Sequence, residues 1–421
     1  MLSFLVTAIK VIFLLGFLVF IHEGGHFLVA KLCKIKVNEF AIGFGPTIWK
    51  SKNTKTKYAL RLIPLGGFVS MEGEEERSEA EGSFSKASIP KRIAIVLAGG
   101  AVNIVFGLIV YFCLVSAMGG NISQTIQALE PEYGARKAGI LVGDEIVRIN
   151  GKRIHQKQDI TDIMEQYKGE NVTVQVKRNG ELIEYIVEPK EIIGKDTGIY
   201  LGVEGDNLTT EIVALYPSSP AEKQGVQIGD IILKVDGKDV ESNPYKVVEY
   251  INESENQEII FTVKRKEEIK EIKLEPEISY TYLLGVEFAK AEDNFANNIY
   301  YGFWNTVDFS TSIIENLKML FTGKVSANQL TGPIGISNMV AKTKGIEDFI
   351  YLVALISLSL GVTNLLPFPP LDGGKVVIYL IEAVRRKPMK EENELKIQTL
   401  GAAILIGLTI FVTYNDILRI F

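Results

Sequence analysis

The sequence predicts a polytopic α-helical membrane protein with four transmembrane helices and two inserted α+β domains. Three observations carry that expectation: four apolar stretches of about bilayer length, an internal repeat between the second and third of them, and a skewed placement of Lys and Arg. A bilayer core takes roughly 20 helical residues to cross. Stretches of that order run over 4–30, 93–118, 349–366 and 397–415, and the second and third contain no charged residue. Buried soluble helices rarely sustain such runs.

Composition agrees with a chain that is part lipid-embedded and part wet. Of 421 residues, 47% are hydrophobic and 23% charged, with a mean hydropathy of +0.17. The net charge of -6 supplies no basic field to hold phosphate backbones, which argues against nucleic acid as a partner. Cys33 and Cys113 are too few for a disulfide framework. The first apolar run continues through HEGGH instead of ending at a small-residue cleavage site, so it is expected to be retained.

Loop charge orients the spans. Twelve Lys and Arg lie between 31 and 92, and Lys375, Arg385, Arg386, Lys387, Lys390 and Lys396 lie between the last two spans. By the positive-inside rule both segments are cytoplasmic, and the long stretch from about 120 to 348 is outside. The aromatic run 299–321 also contains Asp308, Glu315 and Lys318, each costly at a bilayer centre. It is expected to be an interfacial amphipathic helix, with Trp304 at headgroup level.

The outer stretch repeats itself. PEYGARKAGILVGDEIVRINGKRI (131–154) aligns without gaps on PSSPAEKQGVQIGDIILKVDGKDV (217–240), with Pro131, Ala135, Gly139, Gly143, Asp144, Ile146, Gly151 and Lys152 recurring 86 positions later. β-rich runs follow in each copy, and each is expected to close with its own Leu-Gly-Val pattern, YLGVEG near 200 and LLGVEF near 284. The pattern resembles PDZ domains of the bacterial protease type, which implies peptide binding by strand addition.

Chemistry concentrates in HEGGH, residues 22–26. Residues four apart share a helix face, so His22 and His26 can aim two imidazoles at one metal while Glu23 projects beside them toward a metal-held water. Ionisable groups inside a span cost roughly 2.5–3.5 kcal/mol each, so burial there indicates function. Gly24 and Gly25 each forgo about 1 kcal/mol of helix propensity, which suggests close approach by another backbone. His155 is expected to be solvated. Zinc is the expected metal, since a catalytic zinc takes three protein ligands and keeps a fourth position open. Asp372, in GVTNLLPFPPLDGGKVV, is the candidate third ligand: it follows the third span on the predicted side of HEGGH, after Pro367, Pro369 and Pro370 break the helix and ahead of an expected DG turn.

HEGGH, LDGG after NLLPFPP, and PDZ-like repeats between the second and third spans together resemble the site-2 protease family of intramembrane zinc metalloproteases, in its bacterial RseP-like branch. FAIGFGP with YALRLIPLGGFV resembles that branch's membrane-associated β-hairpin, and TGPIGI its stretch ahead of the third span. The resemblance implies that His22, His26 and Asp372 bind zinc and that Glu23 is the general base. It further implies substrate-positioning roles for Asn364 and Asn103. Its expected substrates are transmembrane proteins already cut outside, such as anti-sigma factors and remnant signal peptides, and its setting is a bacterial plasma membrane.

The expected division is 1–32, the first span; 33–92, a cytoplasmic loop with the hairpin; 93–119, the second span; 120–206 and 207–291, the two PDZ-like domains; 292–348, the interfacial region; 349–375, the third span with LDGG; and 376–421, a loop and the fourth span. A non-catalytic PDZ scaffold and a metal transporter are the rival readings. Intact HEGGH with Asp372 argues against the first, and the repeat against the second.

Overall fold

The computed structural model describes residues 2–51, 55–74, 76–204, 207–216, 219–322 and 330–420. Pro217 of the repeat, Gly205 of YLGVEG and residues 323–329 of the expected interfacial region lie outside them. The chain divides into two compact units, one made of Met1–Ala117 with Leu330–Phe421 and the other of Met118–Gln329.

In the first unit, α1 (Leu2–Leu32) leads into an antiparallel hairpin of β1 (Val37–Lys50) and β2 (Lys57–Met71), followed by α2 (Ile89–Met118). Four helices among the described residues are long and apolar enough to cross a membrane: Leu5–Leu32, Ile89–Met118, Ile346–Asn364 and Glu391–Leu418. They coincide with the four expected stretches. The hairpin forms where expected and leaves Phe44, Ile48, Trp49, Leu62 and Ile63 exposed.

The second unit opens with β3 (Ile122–Leu129), α3 (Gly134–Lys137), β4 (Glu145–Ile149), β5 (Lys152–Arg153), α4 (Lys157–Tyr167), β6 (Val172–Arg178) and β7 (Glu181–Val187). β8 (Lys190–Asp196) leads to the second copy: β9 (Ile199–Glu204), β10 (Asn207–Leu215), α5 (Pro220–Lys223), β11 (Ile231–Val235), β12 (Lys238–Asp239), α6 (Pro244–Glu253), β13 (Ile259–Arg265) and β14 (Glu268–Leu274). β15 (Glu277–Leu283), β16 (Val286–Lys290) and α7 (Phe295–Phe321) complete the unit. Each copy has its own core. Ile146, Ile149, Val174 and Val176 are among the side chains that fill the first, and Ile232, Val235, Phe261 and Val263 among those that fill the second.

The closing strands are exchanged relative to expectation. The sheets run β16-β3-β4-β6-β7 and β14-β13-β11-β10-β9, so the Leu-Gly-Val strand near 200 belongs to the second copy and the one near 284 to the first. The second copy is thus inserted within the first, and the expected boundary at 206/207 does not separate the two sheets. Chain separation accounts for this: β9 and β10 are separated only by residues 205–206, so their antiparallel pairing closes a very short loop. β8 and β15 pair with each other from Lys190↔Leu283 to Asp196↔Glu277 and form the ribbon that joins the copies.

The Gly-Asp of the repeat has a structural use. Asp144 accepts two hydrogen bonds from Arg178, at 2.7 Å each, and a third from the Leu141 N–H at 2.9 Å. Asp230 repeats the arrangement with Arg265 and the Gln227 N–H.

His155 is not simply solvated. Its ring stacks on Trp304 with centroids 3.5 Å apart and bonds the Tyr300 hydroxyl at 2.9 Å, while the buried Tyr301 hydroxyl reaches Gln124. α7 therefore packs the buried Tyr301 and the half-buried Trp304 against the first copy. Phe295, Phe303 and Ile314 remain exposed.

α8 (Pro333–Lys342), α9 (Ile346–Asn364), α10 (Asp372–Arg385) and α11 (Glu391–Ile420) return to the first unit. Asp372 opens a helix and does not sit in a simple turn.

The Arg178 guanidinium holds the Asp144 carboxyl below the usual carboxylate range. A depressed folded-state pKa gives stability above the unfolded pKa of about 3.9 and loses it as pH falls through the folded value. Asp144→Asn should therefore lower the Tm of the first copy at pH 7, with a difference from wild type that shrinks below about pH 4 in pH-dependent melting curves.

Candidate metal centre

α1 and α2 approach closely because residue 25 has no side chain. A Cβ there would stand 2.5 Å from the Ala98 carbonyl oxygen, whereas one on Gly24 would meet nothing within 4 Å. Of the two glycines singled out by helix propensity, only Gly25 makes the backbone approach.

That approach lays the histidine face of α1 on α2. His22 and His26 project from successive turns, and their Nε2 atoms stand 3.2 Å apart. His26 Nδ1 donates to the Ile95 carbonyl at 2.8 Å, which leaves Nε2 of the neutral ring without a proton. Asn103, fully buried on α2, places its carboxamide 3.4 Å from His22 Nδ1.

Asp372 arrives from a distant part of the chain. α9 packs on α2 through Ser357, whose hydroxyl donates to the Asn103 carbonyl at 2.8 Å, and through Gly361, where a Cβ would stand 2.6 Å from the Gly100 carbonyl oxygen. The helix ends at Asn364, and an irregular proline-rich run carries the backbone to Asp372 at the first position of α10. Two ion pairs hold α10 in place: Lys375 with Glu74 at 3.1 Å, and the buried Glu382 with Arg92 at 3.0 Å.

Asp372 Oδ2 lies 3.2 Å from His22 Nε2 and 3.3 Å from His26 Nε2. The three atoms form a nearly equilateral triangle. With zinc–ligand bonds of about 2.0–2.1 Å, the edge of a tetrahedral site is about 3.3 Å. Oδ2 is also buried without a hydrogen-bond partner. Two imidazole nitrogens and a carboxylate oxygen converging at this spacing are a donor set that fits zinc.

Glu23 is half-buried beside the hairpin, its Cγ 3.5 Å from where a Cβ on Gly67 would lie. Asn364 ends α9 half-buried, and among the described residues no hydrogen bond joins it to the triad. Gly99, which helix propensity alone did not single out, is a close neighbour of both rings. A Cβ on it would collide with His26 Nε2 and stand 2.8 Å from His22 Cε1. Its position one turn before Asn103 was the available signal.

Residues 10–408 match peptidase family M50. The chain is 31% identical to the "Regulator of sigma E protease" of Haemophilus influenzae, covering 99% of this chain and 100% of that one. It is 30% identical to the "Regulator of sigma-W protease RasP" of Bacillus subtilis, with the same coverage of each. Among solved structures, the HtrA3 PDZ domain bound to a phage-derived ligand aligns with 22% of this chain and 93% of its own, at 19% identity and a TM-score of 0.19. The family match spans all three members of the triad, and the chain belongs to peptidase family M50.

Proposed function

We propose that the chain is an intramembrane zinc metalloendopeptidase that hydrolyses peptide bonds in or near the transmembrane segments of membrane proteins. The observation that carries this reading is the convergence of His22 Nε2, His26 Nε2 and Asp372 Oδ2 to within 3.2–3.3 Å of one another among apolar helices. Membership of a peptidase family and relatives named as sigma-factor regulating proteases support the same conclusion.

His22, His26 and Asp372 would hold zinc and leave a fourth position facing the substrate. Zinc, when bound, supplies Lewis acidity, polarising the scissile carbonyl and acidifying water toward neutral pH. Glu23 takes the proton of the attacking water and passes it to the leaving amine. Asn364 donates to the substrate backbone.

A helical substrate must be unwound before its carbonyls can be attacked, because they are already hydrogen-bonded. The β1–β2 hairpin would hold the extended segment by strand addition, replacing the hydrogen bonds lost from the helix. Gly67 lies against Glu23, which puts the hairpin beside the base.

Loop charge supports a topology with the hairpin and the triad toward the cytoplasm of a bacterial plasma membrane, and with His26 about 7–8 Å inside the boundary counted from Lys31. The two inserted PDZ-like copies then stand outside. There they would screen substrates by size or take up new peptide C-termini, as suits anti-sigma factors or remnant signal peptides already cut on that side.

Glu23→Gln should retain zinc but lower cleavage of a model transmembrane substrate by roughly 10²–10⁴-fold, the usual share of general acid–base catalysis. Wild-type-like cleavage by this variant would falsify the assignment. Zinc content measured on purified protein should fall for His26→Ala and for Asp372→Asn, and chelation should abolish cleavage until zinc is restored. Gly99→Ala, whose methyl group intrudes on both imidazoles, should reduce zinc content as well, and a variant with full zinc content would show that the rings have room to move.

A further inference from the structure

Ile95, Gly99 and Asn103 recur every fourth residue and so share one side of α2, the side that meets the histidines. The matching is regular. Ile95 holds His26, Asn103 meets His22, and Gly99 between them leaves room for both rings. We infer that Asn103 is the positioning residue of His22, holding the ring through Nδ1 as the Ile95 carbonyl holds that of His26, and that it does not handle substrate. This inference rests on the zinc-site reading.

The hydrogen-bond arithmetic supports it. A neutral imidazole that offers Nε2 to a metal carries its proton on Nδ1, so the atom facing Nδ1 must be an acceptor. The Asn103 atom now 3.4 Å from Nδ1 is Nδ2, while its Oδ1 is buried and has no partner. The two amide atoms are distinguished only by the bonds they make. A half-turn of the carboxamide brings Oδ1 to Nδ1–H, which gives the orphaned oxygen a donor and fixes the His22 tautomer.

Asn103 is also well placed to stay still. It is 0% exposed, and its own carbonyl is held from α9 by the Ser357 hydroxyl. A group that contacts a passing substrate needs an open face. One that orients a ligand needs a closed one, and outer partners of this kind are worth about 10–100-fold in metal affinity.

The test is zinc affinity of the purified full-length protein, measured by competition with a chromophoric chelator, together with the visible spectrum of the Co²⁺-substituted protein without substrate. Asn103→Leu should weaken zinc binding by about 10–100-fold and shift the cobalt bands. Asn103→Asp, which keeps the acceptor, should retain wild-type affinity and a wild-type cobalt spectrum. Unchanged zinc affinity in Asn103→Leu with a raised KM would return the residue to substrate handling and overturn the inference. An equal loss in Asn103→Asp would do the same, since the acceptor would then not matter. A wild-type chain that takes up no metal overturns the site reading itself, and this inference with it.

Discussion

Two imidazole nitrogens and a carboxylate oxygen held 3.2–3.3 Å apart among apolar helices form the constraint on which the rest of the first unit depends. In water such a cluster would relax by rotating side chains outward. Here each member is tied from behind: His26 by a backbone carbonyl, His22 by a buried carboxamide, and Asp372 by its place at the start of α10. The fold thereby holds the three atoms in an arrangement that one cation could bridge.

Holding the cluster requires close helix packing at more than one level. In lipid, apolar side chains supply little driving force between helices, so contact there relies on small residues and on polar groups that reach across. α2 shows both. It meets α1 where residues 25 and 99 lack side chains, and it meets α9 at the Ser357 hydroxyl and the Gly100–Gly361 crossing. One helix thereby registers two distant parts of the chain against each other.

The second unit follows a different logic. Its copies repeat the same buried carboxylate–arginine pair and the same core pattern, yet they are not laid end to end. Each of the two ribbon strands runs from one copy to the closing strand of the other, β8 into β9 and β15 into β16. α7 then packs its aromatic residues on the first copy through His155 and Gln124.

Much of the protein was legible without coordinates. Length and apolarity predict the four spans because a bilayer core sets both; helical periodicity puts His22 and His26 on one face; and self-alignment reveals the repeat. Those are local or periodic properties, which a linear string carries intact. What tertiary structure alone decided concerns long-range pairing: that Asp372 opens a helix with its carboxylate on the histidines, that Asn103 faces His22, that Gly99 clears both rings, and that the Leu-Gly-Val strands close each other's expected copies. Two copies of one motif give two equivalent ways to complete a sheet, and only loop length and the packing of the closed structure choose between them.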